Sequence, residues 1–110
     1  MEVKAISRSV RISPRKVRIV AAVLKGSTAL EAVRKLSLLD KRGATILEKT
    51  VKSAIANAVN NAKLTEEKLV IKEIQVNEGA FLKRFHHSTR GRVHPYKRRS
   101  SHITVVLEDK

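Results

Sequence analysis

The chain has 110 residues, a length that fits one domain with a modest core. It carries 24 Lys or Arg against 10 Asp or Glu, a net charge of +14, and no cysteine, which excludes disulfides and thiolate metal sites. Such an excess opposes compaction unless a polyanion offsets it. The excess is uneven: residues 1–26 hold seven cations and one acid, 27–78 nine and seven, and 79–110 eight and two, so the two ends supply +12 of the +14. The hydrophobic share of 42% is mostly Val, Ile, Leu and Ala, with only 3% aromatic. The N-terminus has no apolar signal region, and the longest apolar run, IVAAVL at 19–24, is too short to span a bilayer. The expectation is a soluble intracellular protein.

VKAISRSVRIS, at 3–13, reads as an extended segment rich in β-branched residues. Ser13 and Pro14 then announce a helix, Ser as cap and Pro at the first helical position, where its missing N–H costs nothing. Val17, Val20, Ala21 and Leu24 give that helix one apolar face, and Gly26 is a natural stop. At about 100° per residue, Arg15, Arg18 and Lys25 fall together on the opposite side. Thr28 and Glu31 have capping-box spacing and open a second helix, whose buried face is Ala29, Ala32, Val33 and Leu36. A third, longer helix follows Asp40, with a stripe of Leu47, Val51, Ala54, Ile55, Ala58 and Ala62. Asn57, Asn60 and Asn61 near its end could cap, face solvent or contact RNA; capping or solvent is the favoured reading.

KLVIKEIQVNEG reads as a strand with Val70, Ile74 and Val76 on one face and Lys72 the exception. HITVVLE is a second strand, with Ile103, Val105 and Leu107 on one face. Antiparallel pairing of the two is the simplest arrangement. Between them lies GAFLKRFHHSTRGRVHPYKRRSSH, residues 79–102, with seven Lys or Arg, all four histidines, all three aromatics and no acid. It reads as a hairpin extension centred near Arg90 and Gly91. Each arm has about twelve residues, and at ~3.3 Å per residue it reaches roughly 40 Å, too far to fold back inside a body of ~13 Å radius of gyration. The hairpin must project or be a disordered loop. Alone it would be poorly ordered, since a two-stranded ribbon is marginal and its like charges repel. Against phosphates the same charges favour order. Phe81, Phe85 and Tyr96 could stack on bases, although Phe81 and Phe85 could instead pack at the hairpin's base.

Other chemistries fit less well. The histidine spacing matches no zinc pattern; His86 and His94 would face each other if the turn centres near residue 90, but no carboxylate or thiol completes a shell. There is no nucleophile elbow, P-loop or dinucleotide fingerprint. A ribonuclease could use His as acid and base, yet a projecting ribbon lacks a rigid concave site. The main alternative to RNA binding is a DNA-architectural protein whose basic β-arm wraps duplex DNA, and such proteins usually dimerise.

ISPRKVR at 12–18, SAIANA at 53–58, NEG, LKR, a basic hairpin containing GR, and SHITVV at 101–106, in this order and spacing, resemble the large-subunit ribosomal protein twenty-two family, bacterial type. The similarity runs from about residue 3 to the end. Ala80 departs from it, standing where proline is common after NEG, and so does HHST at 86–89, which replaces a more basic run. The resemblance implies an α+β fold: three helices packed on a small three-stranded antiparallel sheet, with a long projecting β-hairpin. It implies a single ribosomal-protein domain over 1–110 with the hairpin extension at about 79–102. The function it implies is that of a structural, non-enzymatic constituent of the large ribosomal subunit, with a role in early subunit assembly and a hairpin that lines the nascent-peptide exit tunnel. The implied partners are large-subunit (23S-type) rRNA, other large-subunit ribosomal proteins and, transiently, the nascent polypeptide. No membrane, homo-oligomer, metal or cofactor is expected, and the implied location is the cytoplasmic ribosome. The candidate rRNA-binding residues are Arg8, Arg11, Arg15, Lys16, Arg18, Lys25, Lys83, Arg84, Arg90, Arg92, Lys97, Arg98 and Arg99. The candidate tunnel-lining tip is His86, His87, Ser88, Thr89, Arg90, Gly91 and Arg92.

Overall fold

In the computed structural model the chain runs β1 (Glu2–Val10), α1 (Pro14–Val23), α2 (Ala29–Leu38), α3 (Arg42–Ala56), β2 (Leu69–Glu78), β3 (Leu82–His87), β4 (Val93–Arg98) and β5 (Ser101–Asp109). The structure describes residues 2–79, 82–87 and 93–109, those within 82–98 by their backbone. The fold is α+β: β5 is the centre of an antiparallel sheet of order β1-β5-β2, and the three helices pack on one face of it. The central position explains why Ser101, Ile103, Val105 and Leu107 of β5 are all fully buried. The expected pairing of the strand after α3 with the strand before the C-terminus is present, from Leu69 opposite Asp109 to Glu78 opposite Ser101.

Two irregularities set which residues face the helices. β2 shifts register between Ile71 and Glu73, with Lys72 the extra residue. An extra residue reverses the two-residue side-chain alternation. Leu69 and Ile71 are buried before the bulge, and Ile74 and Val76 pack inward after it. This corrects the expected face of Val70, Ile74 and Val76: Val70 is only half-buried and bridges to Thr28. Lys72 is therefore no exception in an alternating strand; it is the residue at which the alternation changes phase. β1 shifts likewise between Ser7 and Val10, and Ser9 has a left-handed φ of 53°. The shift lets Val10 and the buried Ile12 continue the inward set of Val3, Ala5 and Ser7.

The helices follow their sequence signals closely. Pro14 opens α1 and Ser13 stands at the cap, but the Ser13 side chain makes no capping bond; its carbonyl accepts from the N–H groups of Lys16 at 3.1 Å and Val17 at 3.4 Å. Val17, Val20 and Leu24 are buried as expected, and the chain leaves at Gly26 with φ 79°, a conformation that favours glycine. Thr28 Oγ1 accepts the Glu31 N–H at 3.3 Å and caps α2. α3 buries Leu47, Val51, Ala54 and Ile55, then widens into a π-helical turn at Asn57–Asn61 that still buries Ala58. The buried Thr50 is satisfied twice: it donates to the Ile46 carbonyl at 3.1 Å, so the Ser7 hydroxyl, 2.8 Å away, donates to it and ties β1 to α3. Among the described residues the apolar core is entirely Ala, Val, Ile and Leu.

β3 and β4 pair with each other and not with the main sheet. Their ladder runs from Leu82 opposite Arg98 to His87 opposite Val93 and is symmetric about residue 90, the centre expected from the sequence. The molecule measures 61 × 24 × 17 Å with a radius of gyration of 16.8 Å, well above the ~13 Å of a compact chain of about this length. Such elongation fits a hairpin that projects.

Candidate nucleic-acid interface

The hairpin leaves the body through a closely bonded root. The Gly79 N–H donates to the Ser100 carbonyl at 2.9 Å, continuing the β2–β5 ladder one step. Arg99 Nη1 meets Glu78 Oε1 at 3.2 Å across the same step. Ser101 is fully buried, and its hydroxyl donates to the Ile12 carbonyl at 2.6 Å, fixing the segment that leads into α1. The β1 bulge turns the Ser9 N–H toward His102 Nδ1, which accepts it at 3.0 Å. Gly79 is needed here for space: a Cβ on it would lie 2.5 Å from Ser100 Oγ and 3.2 Å from the His102 ring. Beyond the root, three residues lead from Gly79 to Leu82 but two from Ser100 back to Arg98, so the register moves by one before the hairpin ladder begins.

In the hairpin ladder Lys83 lies directly opposite Lys97, Arg84 opposite Tyr96, and His86 opposite His94, as the sequence reading anticipated for the histidines. Like charges at directly opposed positions destabilise a strand pair, and an anion between them removes the repulsion. Pro95, opposite Phe85, has no N–H to give; a two-stranded ribbon has a free edge on each side and tolerates it. The backbones of Lys83, Arg84, His86, His87, Lys97 and Arg98 are therefore placed. Their side chains, together with Phe81, Ser88, Thr89, Arg90, Gly91 and Arg92, lie outside the described structure, and so do the stacking roles expected of Phe85 and Tyr96.

The body cations divide by whether the fold already uses them. Arg8, Arg11, Arg15, Lys16 and Lys25 are exposed, and none has a bonded partner among the described residues. Arg18 is engaged: its Nη2 donates to the Val76 carbonyl at 2.8 Å, covering part of the β2 edge. Arg99 is engaged with Glu78. Lys25 lies past the end of α1, in the turn to Gly26, and the alignment expected of it with Arg15 and Arg18 is not a helical one. Arg18 and Lys25 nevertheless come together, with Lys72, around a groove of about 440 Å³ between α1 and β2 whose floor includes Ala21, Ile71 and Ile74. Lys35, Lys52 and Lys72 serve the fold, through Ser27 Oγ at 2.9 Å, Glu48 at 3.0 Å and Glu2 respectively. The Lys72 ammonium hydrogen-bonds Glu2 and holds its carboxyl below the usual carboxylate range, and Glu2 in turn raises Lys72.

Asn57 has a use that the sequence did not indicate. It stands at the C-cap of α3, but its Nδ2 donates to the Lys4 carbonyl at 3.2 Å, stitching the π-helical turn to β1. Asn60 and Asn61 are exposed. Two cations absent from the sequence candidates, Lys41 and Arg42, are also exposed and unpaired among the described residues. The sequence gives them no emphasis because the stretch 27–78 around them carries nine cations and seven acids.

Among the described residues no group of three or more His, Cys, Asp or Glu could hold a metal ion, and no helix is long and apolar enough to cross a membrane. What the surface offers is cations, arranged along an elongated body with a paired basic ribbon. The family described as ribosomal protein L22p/L17e matches residues 5–108. The large ribosomal subunit protein uL22 of Fusobacterium nucleatum is 48% identical over 109 residues, covering 99% of this chain and 98% of that protein. The proteins of the same name from Staphylococcus aureus strains JH9 and Newman are each 44% identical over 109 residues, covering 99% of this chain and 93% of theirs.

Proposed function

Because this chain belongs to the ribosomal protein L22p/L17e family of bacterial-type, structural, non-catalytic large-subunit ribosomal proteins, we propose that it anchors on 23S-type rRNA and extends its hairpin into the nascent-peptide tunnel wall. The whole of 1–110 works as one domain in the cytoplasmic ribosome, with the hairpin at about 79–102 as its extension. The exposed Arg8, Arg11, Arg15, Lys16 and Lys25, with Arg18, grip phosphates from the body; Lys83, Arg84, Lys97, Arg98 and Arg99 do so along the hairpin. The tip, His86 to Arg92, faces the tunnel and meets the nascent polypeptide in passing. Other large-subunit proteins are neighbours, and the protein joins the subunit early, when its long arm can still be enclosed by folding RNA.

The observation that carries this reading is the β3–β4 ladder: two strands paired only with each other, in a segment of seven cations and no acid, with Lys83 opposite Lys97. Such a ribbon is poorly stable alone and well suited to a channel of phosphates. Each phosphate neutralised releases counterions, so binding weakens steeply with salt. The A-form major groove is closed to side chains, and specificity therefore comes from RNA shape and unpaired bases. The test is binding of the full chain to large-subunit rRNA fragments and to duplex DNA at matched salt. A clear preference for the RNA is expected; equal or tighter binding to duplex DNA would favour a DNA-architectural role instead.

A further inference from the structure

The start of α3 is pressed against α1. A Cβ on Gly43 would lie 3.5 Å from each of Ile12 Cδ1, the Lys16 carbonyl oxygen and Val20 Cγ2, and Gly43 itself is buried. This contact sets the start of α3, where Lys41 and Arg42 precede Gly43, against the backbone of α1 at Lys16, in the segment that also carries Arg11 and Arg15 some thirty positions earlier in the chain. All five side chains are exposed, and none has a hydrogen-bond or ion-pair partner among the described residues. The acid nearest in sequence is Asp40, also exposed, and it forms no ion pair with any of them. Neither α1 nor α3 has an acidic residue in its first turn. The fold supplies carboxylates for other cations, as for Lys52, Lys72 and Arg99. At the α1–α3 junction none of the five cations is in an ion pair among the described residues.

We infer that Arg11, Arg15, Lys16, Lys41 and Arg42 form one composite phosphate-binding patch, in which the start of α3 extends the rRNA surface of the N-terminal segment. The inference rests on the rRNA reading above and adds Lys41 and Arg42 to it. The patch takes sugar–phosphate backbone: it has five cations, and among the described residues the groups behind it are the aliphatic ones of the α1–α3 contact, with no aromatic to stack a base. Mutual repulsion among the five is relieved only when phosphates lie over them.

The test uses the full chain and a large-subunit rRNA fragment, with affinity measured across a salt series. Lys41→Gln with Arg42→Gln is expected to weaken binding several-fold and to lower the log–log salt slope by about 1 to 2, since each lost phosphate contact removes about 0.7 to 0.9. Arg34→Gln with Lys68→Gln removes two exposed charges elsewhere and is the control for net charge; it should move the slope much less. The exchange Lys41→Arg with Arg42→Lys should keep the slope. Combining Lys41→Gln and Arg42→Gln with Arg15→Gln and Lys16→Gln should give less than the sum of the two losses if they share phosphates. A slope for the Lys41 and Arg42 pair equal to the control, with Arg15→Gln and Lys16→Gln still effective, overturns the patch and leaves the rRNA reading intact. No preference for rRNA in the unaltered chain overturns both.

Discussion

The molecule contains two antiparallel ladders built on opposite principles. In the body, β5 is paired on both sides and its inward residues are fully buried under three helices. In the hairpin, β3 and β4 have only each other, and one of their rungs sets lysine against lysine. The first ladder carries its own reason to form, the removal of aliphatic surface from water. The second lies in a segment of seven cations and no acid, and under the proposed function an external polyanion completes it. On that proposal one chain holds a self-sufficient sheet and a dependent one, joined at Gly79 and Ser100.

The comparison breaks most visibly if the body does not behave as a self-sufficient core. Leu107→Ala, at a fully buried position on β5, should destabilise the body by ~2–5 kcal/mol in denaturant unfolding. Deleting 85–96 should leave that unfolding transition in place; its loss would mean that the hairpin belongs to the core. At the junction, Ser101→Ala leaves the Ile12 carbonyl without its 2.6 Å donor and should cost ~1–3 kcal/mol. Within the hairpin, Lys83→Gln removes one of two opposed like charges and should slow amide exchange in β3 and β4 of the free protein, by the equivalent of ~0.2–1 kcal/mol. The same change should weaken rRNA binding, a split in sign that a purely structural lysine would not give.

The smallest expected effect is electrostatic. Glu2, depressed by its hydrogen bond to Lys72, adds stability that is present above its unfolded pKa and is lost as the pH falls through its lowered folded value. Lys72, raised by Glu2, adds stability that is present below its unfolded pKa and is lost as the pH rises through its raised folded value. The pair therefore contributes across neutral pH and fades at both extremes. Both side chains are substantially exposed, so salt should screen the contribution. Glu2→Gln should flatten the acid limb of a stability–pH profile measured at low salt.

Much of this arrangement was legible in the sequence, because helix faces and caps are local signals. Val17, Val20 and Leu24, the Thr28 cap and the Gly26 stop needed only periodicity and turn chemistry. The hairpin centre followed from its two flanking strands. What the sequence concealed was set by tertiary contact. The bulge at Lys72 looked like a charged residue misplaced in an alternating strand, since an extra residue leaves no compositional mark. Asn57 resembled a cap until β1 supplied the Lys4 carbonyl. Arg18 looked as free as Arg15 until the β2 edge came within its reach. Lys41 and Arg42 sit inside a nearly neutral stretch, and only the contact of Gly43 with α1 sets them beside the basic N-terminal segment.

The central claim is that body and hairpin hold different parts of the same RNA. Crosslinking in cells, with sequencing of the RNA attached to each half of the protein, tests it most directly. The account predicts hairpin crosslinks to large-subunit rRNA near the peptide tunnel and body crosslinks elsewhere on that RNA. Crosslinks scattered over unrelated RNAs, or recovery mainly with DNA, would contradict it.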